Sequence, residues 1–208
     1  MLLWSQIALF AATSVVLILT PGPDILYVMT RGVAQGRGAA LAAAAGFSLG
    51  NFVHIFFALI GFSALLASSA HAFQVVKYAG ALYLVYLGVR LLRSPTVALG
   101  GENLPLLRGR RIFFQSIVAN VLNPKVAVFF LAFFPQFIDA RQGSASLQML
   151  SLGTLFVFLT LICFSLVAFC SGAVGAWLNR KPAVSGHLDR MAGSVLVLLG
   201  LRLAWPTR

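Results

Sequence analysis

Apolar residues run from Leu2 to Leu19 with only Trp4, Ser5, Gln6, Thr13 and Ser14 interrupting, and TPGPDILYVMT (20–30) follows at once. Six runs of this kind, at about 3–30, 39–67, 72–92, 112–138, 147–178 and 188–205, each approach or exceed the roughly 20 apolar residues that a helix needs to cross a bilayer. The fifth is longer than one upright helix requires, so it is expected to tilt or to carry an interfacial turn; the sixth is short.

Composition agrees with a chain solvated by lipid. Of 208 residues, 60% are hydrophobic and 9% charged, with mean hydropathy +0.96, whereas about a quarter of the residues in a soluble domain are charged. A net charge of +11 would suggest nucleic acid in a soluble protein, but here Lys and Arg form short clusters between apolar runs, with no basic face, so no nucleic-acid partner is expected.

The clusters read as topology signals. Arg31 and Arg37 follow the first run, Arg90, Arg93, Arg108, Arg110 and Arg111 separate the third from the fourth, and Arg180, Lys181 and Arg190 flank the fifth connection. Lys77, Arg141, Arg202 and Arg208 lie on the other side, so the positive-inside rule predicts both termini on the non-cytoplasmic face. Trp4, Trp177 and Trp205 fall at run ends, where indole favours the headgroup region. No Lys or Arg precedes Arg31 and the first run exceeds a signal-peptide core, so the first span is expected to be retained. Cys163 and Cys170, seven apart on one helix, are about 10.5 Å from each other, too far for a disulfide, and are expected to be small buried apolar residues.

The two halves resemble each other. Pro21 and Pro124 are 103 positions apart, while Gly88 and Gly200, in YAGALYLVYLGVRLL and MAGSVLVLLGLRLA, are 112 apart. Three spans per copy is odd, so the second copy must lie inverted. The expected fold is an all-α integral membrane protein of six transmembrane helices in two inverted three-helix repeats, with helices one and four broken at proline. Repeat one covers about 1–93, a cytoplasmic linker about 94–111 and repeat two about 112–208, all within one transporter domain.

Pro21, Gly22 and Pro23 together should unwind a helix rather than bend it. Unwound backbone at membrane depth survives only where protein or a water-filled cavity satisfies it. Pro23 suits the first turn of a new half-helix, and Asp24 then sits near its partially positive N-terminus, where it either binds or couples ions or merely caps the helix and reaches water. The second break is LNPK (122–125): Asn123 can bond freed backbone groups, and Lys125 lies 14 residues, about 21 Å, beyond Arg111. An unpaired ammonium there costs at least about 2.5–3.5 kcal/mol, so Lys125 needs a partner: Asp24, exposed carbonyls or a substrate carboxylate.

Ser116, Asn120 and Asn123 share one face of span four, and Asn51 and His54 lie three apart on span two. They either line a common cavity or bond helix to helix, the latter fitting Ser116 and Asn120 better. Gly46 and Gly50 form a GxxxG that favours close helix packing and allows a homo-oligomer. The chain has no GxxxxGK[ST], HExxH, CxxC or GxSxG, so ATP hydrolysis, zinc proteolysis, thiol redox work and serine hydrolysis lack their usual parts. Neither enzyme activity nor a cofactor is expected.

LTPGPDILYVMTRG, AAGFSLGNFVHIFFALIGFSALL, FQVVKYAGALYLVYLGVRLLR and FFQSIVANVLNPKVAVFFLAFFPQFI, in this order, resemble the lysine exporter and homoserine/threonine resistance (LysE/RhtB) family. The resemblance covers nearly the whole chain. It implies a six-helix protein of the bacterial inner membrane that exports amino acids without ATP, with Pro21, Gly22 and Pro23 at the first family break and Asn123, Pro124 and Lys125 at the second. Gly46, Gly50, His54, Gly80, Tyr83 and Gly88 also stand at family-like positions, whereas a carboxylate at the position of Asp24 is not universal in the family.

The expected function is secondary-active export of amino acids or close derivatives by alternating access, coupled to protons with Asp24 or His54 as the candidate carriers. In that reading Lys125 and the half-helix N-termini hold the substrate carboxylate, while Asp24, Asn51 or freed carbonyls receive its ammonium group. The alternative is export of another small solute or of a metal cation, although the spans offer no clustered metal ligands.

Overall fold

Thr20, Pro21 and Gly22 end the first helix at the point where the sequence places its break. In the computed structural model, which describes residues 4–67, 70–93, 105–180 and 182–205, α1 (Trp4–Leu19) stops before Thr20, whose hydroxyl donates to the Val16 carbonyl at 2.7 Å. Pro21 has no N–H with which to continue the ladder. Gly22 is extended, and α2 (Pro23–Gln35) restarts with proline in its first turn at 57° to α1. Proline fits there because the N–H it lacks would be unpaired in any first turn.

The second break repeats this chemistry. α5 (Gly109–Val121) ends before Leu122, and Asn123 caps α6 (Pro124–Val128) by accepting the Lys125 N–H at 3.0 Å. The two halves of this span are bent by 47°. Its second half is less regular than a single broken span implies: a π-helical turn (Phe129–Phe133) passes into a 3-10 turn (Phe134–Phe137). Pro135 explains the change, since it offers no N–H and its ring would collide with the carbonyl four residues back; the Phe134 N–H reaches five residues back instead, to Phe129.

The other long helices are α3 (Arg37–Ala67), α4 (Ala70–Arg93), α7 (Ala145–Arg180) and α8 (Pro182–Ala204). Gly36, at φ 82°, turns α2 into α3 within one residue, a backbone conformation that side chains with a Cβ rarely adopt. α7 decides between the two alternatives for the fifth run: no interfacial turn interrupts its 36 residues, which run about 54 Å, so tilt or projection beyond the hydrocarbon absorbs the excess. α8 begins earlier than expected, at Pro182. Most of the linker, residues 94–104, lies outside the described residues, as do Arg208, Lys181 and the side chain of Trp177.

All regular structure among the described residues is helical. α3 packs on α5 and α7, α7 also receives α1 and α2, and α4 pairs with α8. Small residues set these distances. A Cβ on Gly50 would meet the Asn120 side chain at 2.7 Å and one on Gly46 would strike the Phe113 carbonyl, so the GxxxG face is used against α5 within the chain. At the α4–α8 seam, a Cβ on Gly88 would meet the Gly193 carbonyl at 2.6 Å, and one on Gly200 would meet the Ala81 carbonyl at 2.7 Å. These contacts are reciprocal: shifting Gly88 and Ala81 by 112 positions gives Gly200 and Gly193.

Polarity is inverted relative to a water-soluble protein. Leu49, Phe52, Phe56 and Ile60 of α3 and Phe158, Ile162, Leu166 and Phe169 of α7 face outward, while Asp24, Asn51, His54, Asn120, Asn123, Lys125 and Thr160 are buried. That arrangement suits lipid outside and a polar path inside. α3 and α7 are each long and apolar enough to cross a membrane, and the bent pairs α1–α2 and α5 with its continuation each qualify as a broken span. Cys163 is buried as expected, but Cys170 is exposed on the outer face, and both are free thiols.

The reciprocal seam leads to a direct expectation. Gly88→Val and Gly200→Val should each destabilise the protein by about 1–3 kcal/mol through overpacking against backbone. Thermal unfolding in detergent measures this, and comparable losses are expected because each glycine meets the equivalent carbonyl of the other helix.

Candidate functional site

Lys125 and Asp24 occupy the second positions of α6 and α2, the two half-helices that begin at the breaks. They meet in the buried interior: Lys125 Nζ lies 2.9 Å from Asp24 Oδ2 and 3.0 Å from Oδ1, and donates to the Thr20 carbonyl at 3.2 Å. The need for a partner that the sequence assigns to Lys125 is therefore met by Asp24 and by a carbonyl freed at the first break. Asp24 is buried against Lys125 rather than reaching water past Arg31.

Each break contributes to this contact. The extended backbone at Gly22, after Pro21 has ended α1, leaves the Thr20 carbonyl outside helical pairing, and proline at 23 restarts the helix so that Asp24 enters its first turn. Asn123 and Pro124 do the same for Lys125. A carboxylate is favoured at a helix N-terminus and an ammonium is not, so Lys125 depends on Asp24 more than Asp24 depends on Lys125. Gly22 closes the site from one side: a Cβ there would meet Asp24 Oδ1 at 2.8 Å and Lys125 Nζ at 3.1 Å.

A second polar group lies across the α5 end of the break. Asn120 donates through Nδ2 to Asn51 Oδ1 at 3.1 Å, and Asn51 donates to Thr160 Oγ1 at 3.2 Å. The Asn120 carbonyl accepts both the Asn123 N–H at 2.8 Å and His54 Nε2 at 3.0 Å, which assigns the proton of that contact to Nε2 because a carbonyl can only accept. His54 also stacks on Phe130, with ring centroids 5.7 Å apart. Ser116 turns back to its own helix, to the Ile112 carbonyl, and stays outside both groups.

The breaks thus bring Pro21, Gly22, Pro23, Asp24, Asn123, Pro124 and Lys125 together, while Asn51 and His54 join the neighbouring group through Asn120. Thr20 and Thr160 were not singled out in the sequence. Thr20 had a signal, since it precedes the first proline; Thr160, inside LFVFLTLICF, had none. Among the described residues, Ser14 Oγ, Asn120 Oδ1 and Asn123 Nδ2 are buried without a hydrogen-bond partner. The far end of α2 is tied down separately: Arg31 donates to the Pro105 carbonyl at 3.0 Å, Gln35 to the Leu107 carbonyl at 2.9 Å, and the Tyr27 hydroxyl to Gln115 at 3.0 Å.

Residues 15–206, which include both breaks and the ion pair, match the LysE type translocator family. The chain belongs to that family. This LysE-family protein is 33% identical over 196 residues, 94% of each chain, to the homoserine/homoserine lactone efflux protein of Salmonella typhimurium. It is 30% identical over 193 residues, 90% of each chain, to the leucine efflux protein of an Enterobacter species. An uncharacterized membrane protein of Vibrio cholerae is 32% identical over 198 residues, 94% of each chain. No solved structure matches the LysE-family chain. The family that four sequence blocks resemble is thus the family that nearly the whole chain matches.

Breaking a buried pair leaves one charge uncompensated, which typically destabilises by about 3–5 kcal/mol, whereas removing both charges is often close to neutral. Lys125→Ala is therefore expected to lower the thermal midpoint in detergent sharply, and the Asp24→Asn/Lys125→Met double variant to recover most of the loss. A double variant as unstable as the single one would show that the two charges do not compensate each other.

Proposed function

We propose that this translocator exports amino acids or close derivatives of net neutral charge across the bacterial inner membrane, and that the Asp24–Lys125 pair is where the substrate is held. The observation that carries the proposal is one carboxylate and one ammonium, buried in contact where two half-helices begin. A zwitterion can insert into such a pair by exchange: its carboxylate replaces Asp24 at Lys125, and its ammonium replaces Lys125 at Asp24. Net charge in the apolar interior stays the same, which avoids the large penalty of an unpaired ion.

The surroundings support the carboxylate half. Two helix N-termini converge there with partially positive ends, and Asn123 keeps Nδ2 available beside the Lys125 backbone. Pro21, Gly22, Pro23 and Pro124 act by holding the breaks open to side-chain and carbonyl groups. Asn51 serves as a polar wall through Asn120 and Thr160. The Salmonella relative is named for homoserine and homoserine lactone and the Enterobacter relative for leucine; homoserine and leucine are net neutral.

The rest of the mechanism follows the two-fold pattern. Reciprocal Gly88–Gly193 and Gly200–Ala81 contacts favour two inverted three-helix repeats, about 1–93 and 112–208, making six spans. These repeats would rock about the pair to expose it to each side in turn. Arg31 bonds the Pro105 carbonyl near one end of the bundle, while Lys77 donates to the Trp205 carbonyl near the other, which favours the charge-based topology with both termini outside the cytoplasm. Export against a gradient requires coupling, and we assign it to protons carried by Asp24, with His54 second because its Nε2 is held by Asn120.

Counterflow of labelled amino acids in proteoliposomes tests this reading. Wild type should exchange a few net-neutral amino acids and respond to an imposed pH gradient, and Lys125→Ala should insert but lose exchange. Exchange retained in Lys125→Ala would make the lysine structural, and indifference to the pH gradient would remove proton coupling.

A further inference from the structure

α5 presents a face that transport by the ion pair does not use. Its inner side carries buried Ile112, Ser116 and Asn120, and its outer side carries exposed Arg111, Phe114, Gln115, Val118, Ala119 and Leu122, spaced as one helical stripe. At the start of this stripe, Arg108, Arg110 and Arg111 border an open depression of about 650 Å³ whose remaining lining is Phe114, Gln115, Val118 and Ala119. The volume falls within the roughly 300–1,000 Å³ typical of small-molecule sites.

The accessible surface of the depression is almost wholly apolar, and the charge beside it comes from the three arginines. All three arginines are exposed, and among the described residues none is in an ion pair; Arg110 rests its guanidinium 5.7 Å above the Phe114 ring. One helical turn further on, Phe114 and Val118 are 52% and 57% exposed and wholly apolar. Three guanidiniums above an apolar wall match a ligand with an anionic head and a hydrocarbon tail.

We propose that this depression is a binding site for an anionic phospholipid, its phosphate held by Arg108, Arg110 and Arg111 and one acyl chain lying along Phe114 and Val118. Arginine suits the role because its planar fork pairs with phosphate oxygens two at a time. Gln115 in the lining accepts the Tyr27 hydroxyl at 3.0 Å, so an occupied site would bear on α2, the half-helix that carries Asp24. The proposal does not depend on which solute is transported.

Native mass spectrometry of the full chain, incubated in detergent with an equimolar mixture of phosphatidylglycerol and phosphatidylcholine, tests it. Wild type should retain phosphatidylglycerol in preference, and Arg110→Gln/Arg111→Gln should reduce that retention about tenfold or more, since each of these arginines would lose a direct charge-assisted contact with the phosphate. Arg37→Gln/Arg93→Gln removes the same charge outside the depression and should change retention by less than about twofold. Equal losses in both double variants would reduce the effect to net charge and overturn the site. Displacement of the lipid by millimolar inorganic phosphate alone would identify a free-anion site instead. A shift of wild type to a dimer that excludes lipid, abolished by Val118→Glu, would show that a second copy covers the face.

Discussion

Two opposite charges buried side by side in a chain otherwise built for lipid are the constraint on which the rest of this structure depends. Neither Asp24 nor Lys125 could be held at that depth alone, and each is placed by a proline that interrupts its helix. The interruptions release backbone groups that must also be satisfied, and the Thr20 and Asn120 carbonyls find Lys125, His54 and the Asn123 N–H. Asn123 answers the same requirement by capping α6, and Asn120 links the second break to Asn51 and Thr160.

Around this interior, two kinds of contact divide the molecule. Glycine at 46, 50, 88, 193 and 200 lets backbones approach so closely that α3–α5 and α4–α8 behave as tightly packed pairs. α2 combines both kinds: Gly32 brings it close against Ser171 of α7 and Ala40 of α3, and side-chain bonds hold it through Asp24 on one side and through Tyr27, Arg31 and Gln35 further along. Packed glycine seams resist deformation, whereas a few hydrogen bonds can be exchanged one at a time. Of the contacts of α2, those at Asp24, Tyr27, Arg31 and Gln35 are the ones that can be exchanged without unpacking a close glycine contact.

The all-helical, lipid-facing architecture and the two broken helices were legible because lipid solvation leaves a strong imprint: long apolar runs and two proline-centred breaks. The pairing of Asp24 with Lys125 was one of several alternatives at the level of sequence, since 101 residues separate them and only packing brings α2 to α6. Thr160 was invisible because one hydroxyl in an apolar run carries no periodic signal. Whether α7 tilts or turns was left open, and the π and 3-10 turns after α6 were missed. Tilt needs no sequence marker, and the effect of Pro135 depends on how the preceding carbonyls can be re-paired.

The exchange of a zwitterion for the Asp24–Lys125 contact is tested most directly by equilibrium binding of three matched ligands to the purified protein. These are the amino acid most readily exchanged in counterflow, the amine left by removing its carboxylate, and the acid left by removing its amino group. If substrate replaces both partners of the pair, the intact amino acid should bind at least about 100-fold more tightly than either analogue, because each analogue leaves one buried charge unpaired. Equal binding by the amine or the acid would contradict exchange at the pair and locate recognition elsewhere.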